Sequence, residues 1–277
     1  MKYLGRTCSL LLISLSTTGL AREVISGAIV GGEPVQSTDA VARSTVALGF
    51  APTSNPGDEV DSFCSGSLVA PDLVITAAHC MQGAQNTFVI FETNALTAKP
   101  RAARVIGYEI PESYQGGYDH VDPGIPVSKD NDDIALVLFA GAAPSDYAPI
   151  SLAPADPAPV TGQLVTIAGY GHSVLGNQSQ DRIGILRKAD FRVLSADYAR
   201  TEIAIDGSLG PQNAGGDSGG PAFLQLDGRS FLFAVCNWGR QDRFSVFAKI
   251  RPHLPWLQQA AGKLHRIFHA GKSNPSD

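Results

Sequence analysis

The chain has few charged residues and few cysteines for its length. Charged side chains make up 17% of the 277 residues, below the average of about 25% for globular proteins, whereas disordered chains show the opposite balance. The 26 Asp and Glu outnumber the 21 Lys and Arg, which leaves a formal net charge of −5. Nucleic-acid-binding proteins need a basic surface, so the acidic balance argues against that class. Four cysteines are too few for a disulfide-dense scaffold.

Long apolar runs are missing except near the N-terminus. Residues 1–6 carry two positive charges, residues 7–20 are apolar or hydroxylic, and residues 19–21 (GLA) offer small side chains for a signal peptidase. This layout predicts a signal peptide over residues 1–21, because the run is too short to span a bilayer comfortably. We therefore expect a secreted protein, extracellular or periplasmic, without a stable membrane anchor.

Glycine and proline, by contrast, are abundant. The 29 Gly and 18 Pro indicate many turns and favour an all-β fold over a helical bundle. Short runs of apolar, β-branched or aromatic residues between turn signals predict strands, and their spacing favours sandwich or barrel sheets over βαβ units. The predicted strands are residues 41–50, 66–76, 88–91, 134–139, 164–168, 187–194, 222–226, 231–235 and 244–250.

Two segments depart from this pattern. Residues 140–160 contain five prolines and neither Lys nor Arg, which predicts a semi-extended linker over about residues 141–160 between two β halves. Near the C-terminus, apolar residues recur at steps of three and four, which predicts an amphipathic helix and tail over residues 252–277. These apolar residues are Leu254, Leu257, Ala261, Leu264 and Phe268.

Residues 216–221 (GDSGGP) hold a serine between glycines. Glycine permits a tight turn and leaves space for a substrate, and backbone N–H groups that converge at such a turn can stabilise an oxyanion. The hydroxyl of Ser218 is a weak nucleophile by itself and needs a nearby base. Taken alone, a glycine-rich segment of this kind is often only a turn.

Two other segments offer a base and a carboxylate. His79 follows the apolar residues 73–76 and precedes Cys80, and an imidazole can take and return a proton. Asp132 and Asp133 precede another apolar run, and a buried carboxylate can orient an imidazole. Each fragment alone has a structural interpretation, but the order His, Asp, Ser in a secreted β-rich chain favours catalysis.

Together these motifs resemble those of the chymotrypsin/trypsin-like serine proteases. The resemblance covers about residues 29–257 and rests on residues 29–32 (IVGG), 76–80 (TAAHC), 133–136 (DIAL), 169–171 (GYG), 216–221 (GDSGGP) and 237–239 (NWG). It implies an all-β fold of two antiparallel six-stranded β-barrels with a C-terminal α-helix. Barrel 1 is expected at about residues 29–140 and barrel 2 at about residues 161–250, with the active site in the cleft between them.

The resemblance also implies catalytic roles. His79 acts as general base and then general acid, Asp133 orients it, and Ser218 attacks the peptide carbonyl. The N–H groups of Gly216 and Ser218 form the oxyanion hole. Asp133 is preferred over Asp132 because the family's aspartate directly precedes Ile-Ala-Leu. The implied function is that of a serine endopeptidase, and the alternative is a non-enzymatic binding protein that kept the fold.

Activation in the family requires a new N-terminus. The resemblance implies cleavage before Ile29, whose ammonium then pairs with Asp217 and orders the oxyanion hole, so that residues 22–28 form a propeptide. Ala28 precedes Ile29, so a trypsin-like activator would not cut there. Residues 26–28 (SGA) also resemble a signal-peptidase site, although cleavage after Ala21 fits the apolar run better.

The cysteines and their neighbours are interpreted through the same resemblance. Cys64 and Cys80 match the disulfide that flanks the catalytic histidine. Cys236 follows an apolar run, and we expect a buried free thiol there. Ala214 stands where the family has a cysteine near the catalytic serine, so the pocket walls are expected to be braced differently.

The primary specificity pocket is expected to be neutral. Gln212 lies six residues before Ser218, where trypsin-like members carry an aspartate, so cleavage after Lys or Arg is not expected. Asn237 replaces a serine that usually contacts the catalytic aspartate, and its amide can still donate a hydrogen bond. The residues expected to bind substrate are Gln212, Asn213, Asn237, Trp238, Gly239 and Ser245.

No cofactor and no metal is expected. Residues 119–122 (DHVD) and 130–133 (DNDD) are acidic, but their spacing is irregular for metal ligands, and we interpret them as an exposed loop. The expected partner is a protein or peptide substrate, and the expected state is a monomer that binds no nucleic acid.

Overall fold

The computed structural model describes residues 29–52, 60, 62–116, 130–173, 183–208, 210–240 and 243–272. The predicted signal peptide and propeptide, residues 119–122 and the last five residues lie outside this part of the chain. In chain order the described strands are β1 (Glu33–Pro34), β2 (Thr45–Phe50), β3 (Ser62–Ala70), β4 (Leu73–Thr76), β5 (Thr87–Ile90), β6 (Ala102–Glu109), β7 (Ala135–Phe139), β8 (Leu164–Gly169), β9 (Arg187–Ser195), β10 (Glu202–Asp206), β11 (Pro221–Leu226), β12 (Arg229–Arg240) and β13 (Phe244–Lys249). A one-turn helix, α1 (Ala78–Met81), follows β4, and a long helix, α2 (Ile250–Lys272), follows β13.

The first half of the chain forms a closed antiparallel barrel. Its strands follow the order β2-β3-β4-β7-β6-β5, and β5 returns to β2. β4 and β7 are buried along their whole length, which explains why both read as continuous apolar runs. Aromatic side chains fill the interior, where the ring of Phe91 packs edge-on against Phe139 and Tyr147.

The second half forms a second closed barrel in the order β8-β9-β10-β13-β12-β11, and β11 pairs again with β8. The short β1 adds to the outside of β9 through Glu33 and Lys188, so the N-terminal segment of the described chain is attached to this barrel. The expected fold of two antiparallel six-stranded barrels with a C-terminal helix is confirmed.

Helix α2 packs against both barrels where they meet. Leu257, Ala260 and Leu264 are buried on its inner face, at the spacing expected for an amphipathic helix. They share one apolar cluster with Leu136 of β7 and Val235 of β12. The helix therefore packs against strands of both barrels. No helix in the described residues has the length and apolarity needed to span a membrane.

Several strand predictions differ from the structure. Residues 41–50 were expected as one strand, but a 3-10 helix covers Ala40–Arg43 and β2 begins at Thr45, and the two-residue β1 was not predicted. Residues 66–76 were expected as one strand, but a turn at Pro71 and Asp72 divides them between β3 and β4. β6 and β10 were not predicted. The side chains of β6 alternate between exposed and half-buried, so its sequence does not form the apolar run from which the other strands were predicted.

Candidate active site

His79 and Asp133 meet because their strands are paired. β4 ends at Thr76, opposite Ala135 at the start of β7, so the segments that follow β4 and precede β7 leave the barrel at the same edge. Nδ1 of His79 lies 2.7 Å from Oδ2 of Asp133, and the backbone N–H of His79 donates to Oδ1 at 2.9 Å. Asp133 is fully buried and Asp132 is also buried, so the interpretation of residues 130–133 as an exposed loop is wrong for these two aspartates. An ionised carboxylate can only accept hydrogen bonds, so Nδ1 of His79 donates to Asp133.

Ser218 lies near His79, and both residues approach the sulfur of Cys80. The sulfur of Cys80 lies 3.7 Å from Nε2 of His79 and 3.8 Å from the carbonyl oxygen of Ser218. The same carbonyl accepts the backbone N–H of Ser65 at 2.8 Å. In this conformation the Ser218 hydroxyl donates to the carbonyl of Asn237 at 3.4 Å. Residues from both barrels therefore converge at one edge of the cleft.

The expected disulfide between Cys64 and Cys80 is present. It joins β3 to α1 directly next to His79, so the imidazole is attached to a covalently braced turn. His79 and the two sulfurs form a cluster of possible metal ligands, but these sulfurs are bonded to each other. Cys236 is a buried free thiol, as expected, and burial raises its pKa well above the ordinary value.

The turn before Ser218 exposes two backbone N–H groups. The carbonyl of Gly215 accepts the N–H of His172 at 2.8 Å, and the carbonyl of Asp217 accepts the N–H of Gly220 at 2.9 Å. In a planar trans peptide the N–H points opposite to the carbonyl, so the N–H groups of Gly216 and Ser218 face the other side. Neither group has an acceptor among the described residues.

Gly216 has a backbone conformation that glycine favours. Its φ angle is 97°, in the region that L side chains rarely adopt, and a Cβ here would lie 2.8 Å from the Cα of Gly171. The glycine of the GDSGGP segment is therefore required both by conformation and by space.

Asp217 is a fully buried carboxylate beneath this turn. It accepts the backbone N–H groups of Gly171 at 2.9 Å and of Ala214 at 2.8 Å, and also that of Ile29. Burial raises the pKa of Asp217 to about 7, against the lowering effect of these hydrogen bonds. Ile29 is itself fully buried. The structure thus brings the two residues of the expected activation pair into contact.

Asn237 contacts the backbone of Asp133. Its side-chain nitrogen donates to the Asp133 carbonyl at 3.0 Å and to the Val235 carbonyl at 2.9 Å. The side chain is buried, so only the backbone of Asn237 faces the hydroxyl of Ser218. The amide expected to replace the family's serine does donate, but to the main chain of Asp133.

The remaining predicted pocket residues lie at one end of barrel 2. Gln212 donates its backbone N–H to Val30 at 2.9 Å. Gly239 pairs with Ser245 across β12 and β13, and a Cβ on Gly239 would lie 2.7 Å from the Ser245 hydroxyl oxygen.

The side chains of Asn213 and Trp238 differ in their contacts at this end of the barrel. Both amide atoms of Asn213 are buried and have no hydrogen-bond partner in the described structure. Trp238 packs edge-on against Phe244 at 5.8 Å between ring centroids.

Two residues near the site were missed by sequence reasoning. The hydroxyl of Ser65 donates to the carbonyl of Gly216 at 2.8 Å and accepts the N–H of Tyr170 at 2.9 Å. His253 of α2 binds Asp132 at 2.9 Å. Neither residue belongs to a motif, because both act across more than 100 positions of the chain.

Comparisons with known proteins agree with this geometry. A family model described as Trypsin matches residues 29–257. Glucanase inhibitor protein 1 from Phytophthora sojae is 24% identical over 272 residues, covering 91% of this chain and 96% of that protein. Mouse tryptase is 24% identical over 231 residues, covering 73% of this chain and 79% of tryptase. Human serine protease 56 is 29% identical over 216 residues, covering 71% of this chain and 34% of that protein.

Proposed function

Because the chain belongs to the trypsin family, we propose that it is a secreted serine endopeptidase that cleaves peptide bonds through an acyl-enzyme intermediate. Peptidase function follows from the family, and the catalytic residues and secretion are the proposal. The observation that supports it best is the 2.7 Å contact between Nδ1 of His79 and the buried carboxylate of Asp133. In addition, the sulfur of Cys80 lies near both Nε2 of His79 and the carbonyl oxygen of Ser218.

The proposed first step is attack by Ser218 on the substrate carbonyl. Nε2 of His79 takes the hydroxyl proton, and Asp133 stabilises the resulting imidazolium. The N–H groups of Gly216 and Ser218 bind the oxyanion of the tetrahedral intermediate. His79 then gives the proton to the leaving amine. A water molecule releases the acyl group by the same steps in reverse.

The proposal includes activation by cleavage before Ile29. A buried carboxylate without a countercharge is costly. Before cleavage, Ile29 donates only a backbone N–H to Asp217, and burial raises the pKa of this carboxyl group. A free ammonium on Ile29 would supply the missing positive charge. Ile29 and Asp217 are then the pair that stabilises the turn of Gly216 and Ser218.

The proposed substrates carry an uncharged side chain at the cleaved bond. Gln212 has no charge to pair with Lys or Arg, and the Ser245 hydroxyl occupies space next to Gly239. Together with the amide of Asn213, these residues favour small or medium uncharged side chains.

Fluorophosphonate labelling tests the proposed catalytic serine. A protein that starts at Ile29 is incubated with a fluorophosphonate probe, and S218A serves as the matched control. We expect stoichiometric labelling on Ser218, no labelling of S218A, and hydrolysis of Leu, Phe or Ala amides. Absence of labelling in the folded protein that starts at Ile29 would disprove the endopeptidase proposal.

A second candidate function is binding without catalysis. The similarity to a protein named as a glucanase inhibitor extends over 91% of this chain, so the fold is compatible with such a role. The retention of His79, Asp133 and Ser218 favours the enzyme, because a binding protein has no need of all three. Inhibition of a purified β-glucanase by S218A, with no labelling of the wild type, would favour binding instead.

A further inference from the structure

We propose that His253 is a positioning residue for the active site, which acts by holding Asp132 and thereby the neighbouring Asp133. This inference rests on the proposed function, since it assigns Asp133 to catalysis. Asp132 was considered in the sequence only as an alternative to Asp133. The structure gives it a different partner, on a helix at the far end of the chain.

The pair between His253 and Asp132 is buried. Nε2 of His253 lies 2.9 Å from Oδ1 of Asp132, and Nδ1 lies 2.7 Å from the carbonyl oxygen of Lys249. Asp132 and His253 are only 8% and 5% exposed. An ion pair with this burial and geometry differs from a surface salt bridge, because its partners cannot be replaced by water without cost.

Both ring nitrogens of His253 face oxygen acceptors. A neutral imidazole carries one N–H, and an ionised carboxylate and a carbonyl can only accept. The two short contacts therefore require a second proton, so that His253 donates through Nδ1 and Nε2 at once. The pair is an imidazolium and a carboxylate.

Asp132 transmits this contact to Asp133 through the backbone. Its φ angle is 51°, a left-handed conformation that is unfavourable for residues other than glycine. The N–H of Ile134 donates to the Asp132 carbonyl at 2.8 Å, which closes a tight turn around Asp133. The bond to His253 holds Asp132 in this conformation, and Asn237 holds the Asp133 carbonyl from barrel 2. Asp133 is thus fixed on both sides.

The surroundings of the pair contain other charges, most of which have partners of their own. The pair lines a cavity of about 570 Å³ between α2 and the segments that follow β6 and precede β10. Arg200 binds Asp130 at 2.7 Å and Lys263 binds Glu109 at 2.7 Å. Glu112 also lines the cavity, and the Lys249 amine donates to the carbonyls of Ala196 and Ala199.

The carboxylate of Asp132 is held in its ionised form. Burial favours protonation, but hydrogen bonds from Ser113 and His253 outweigh it and lower the pKa of Asp132. With only one ring proton on His253, the lone pair of Nε2 would face the carboxylate. The contact would then be repulsive, and Asp132 would lose its hold on the turn.

The variant D132N separates the hydrogen bonds from the charge. An asparagine amide can donate to the lone pair of Nε2 while Nδ1–H still donates to Lys249. The variant therefore keeps both contacts with a neutral His253 and needs no second proton. H253F removes both contacts and keeps an aromatic ring. H265F is the matched control, because His265 on the same helix binds Asp72 at 3.1 Å, away from Asp133.

The test compares these variants in the protein that starts at Ile29, with folding checked by thermal melting. We expect H253F to lower kcat by about ten- to a hundredfold with little change in KM, since small displacements of catalytic groups have effects of this size. H265F should match the wild type. D132N should have a higher kcat than H253F, because it keeps both contacts of the imidazole.

Nitrogen NMR of the imidazole checks the proton count directly. We expect two protonated ring nitrogens on His253 in the wild type and one in D132N, because the two acceptors in the wild type each require an N–H. A wild-type His253 with one N–H, an H253F variant with wild-type kcat, or a D132N variant as slow as H253F would each overturn the inference.

A separate signal distinguishes failure of the inference from failure of the proposed function. The hydrogen-bonded Nδ1–H of His79 gives a downfield proton resonance whether or not the protein hydrolyses peptides. If the wild type shows neither labelling nor turnover, the proposed function fails. Loss of this resonance in H253F and its retention in D132N would still support positioning by His253, and an unchanged resonance in H253F would refute it.

Discussion

The hydroxyl of Ser65 in barrel 1 donates to the carbonyl of Gly216 in barrel 2 at 2.8 Å. The hydroxyl oxygen of Ser65 also accepts the backbone N–H of Tyr170 at 2.9 Å. One buried side chain therefore connects β3 with two segments of the second barrel. The turn that presents the proposed oxyanion donors is therefore held from across the cleft.

Removal of this hydroxyl should impair catalysis without unfolding the protein. In S65A the Gly216 carbonyl loses its donor, the turn becomes less well ordered, and we expect kcat to fall about tenfold, less than the loss from removing an oxyanion donor outright. KM should change little. S67A is the control, because the Ser67 hydroxyl is buried on the same strand and has no hydrogen-bond partner among the residues that the structure describes. Equal kcat values for S65A and S67A would contradict the prediction.

The aspartate that orients His79 should be nearly indispensable. In D133N the amide cannot serve as acceptor for Nδ1–H and stabilise an imidazolium in the same way, and the family example of this change has a loss of about 10⁴ in kcat. We expect a similar loss here, measured with a peptide amide at constant pH. A D132N variant without turnover beside an active D133N variant would show that the assignment of Asp133 is wrong.

The free energy of unfolding should depend on pH through Asp217. Burial raises the pKa of Asp217 to about 7, so between about pH 4 and pH 7 the folded state binds more protons than the unfolded state, and stability falls as the pH rises. The full effect is roughly 4 kcal/mol. In a chain that starts at Ile29, the ammonium offsets this cost and the decline should be smaller.

Urea unfolding between pH 4 and pH 8 measures this difference. The two proteins compared are the chain that starts at Ile29 and the chain that keeps residues 22–28. D217N in the longer chain should remove the decline, because the amide does not titrate. Identical pH profiles for the two chains would argue against pairing of Ile29 with Asp217.

The disulfide should contribute substantially to stability. Cys64 and Cys80 close a loop with a sequence separation of 16, and loop-closure entropy for this length corresponds to about 3 kcal/mol. We expect C64A/C80A to lose about this much in urea unfolding, and a reducing agent to have no further effect on the double variant. If the free energy of unfolding fell by less than about 1 kcal/mol, the prediction would be wrong, because the disulfide would then restrict the unfolded chain very little.

Substrate preference should respond to Ser245. Its hydroxyl occupies the space next to Gly239, so S245G should enlarge the pocket and raise kcat/KM for Phe amides relative to Ala amides. Arg and Lys amides should remain poor substrates of both proteins, because Gln212 is unchanged. Efficient cleavage after Arg by the wild type would refute the neutral pocket.

The sequence was sufficient for the features that depend on local composition. The buried strands β4 and β7 and the glycines around Ser218 lie in short segments whose residue types indicate their role. The pairing of Cys64 with Cys80 was predicted through the resemblance to a known family and is confirmed. β6 and β10 could not be predicted in the same way, because β6 has a weak burial pattern and a strand is stabilised by pairing with distant segments.

Only the tertiary structure determined which groups support the candidate site. Ser65 contacts Gly216 across 151 positions and His253 contacts Asp132 across 121, and neither serine nor histidine is distinctive where it stands in the chain. Closure of the barrels and docking of α2 bring these residues together. Motifs in the sequence therefore predicted the proposed reacting groups, while the contacts that hold these residues in position depend on how the two barrels and the helix pack.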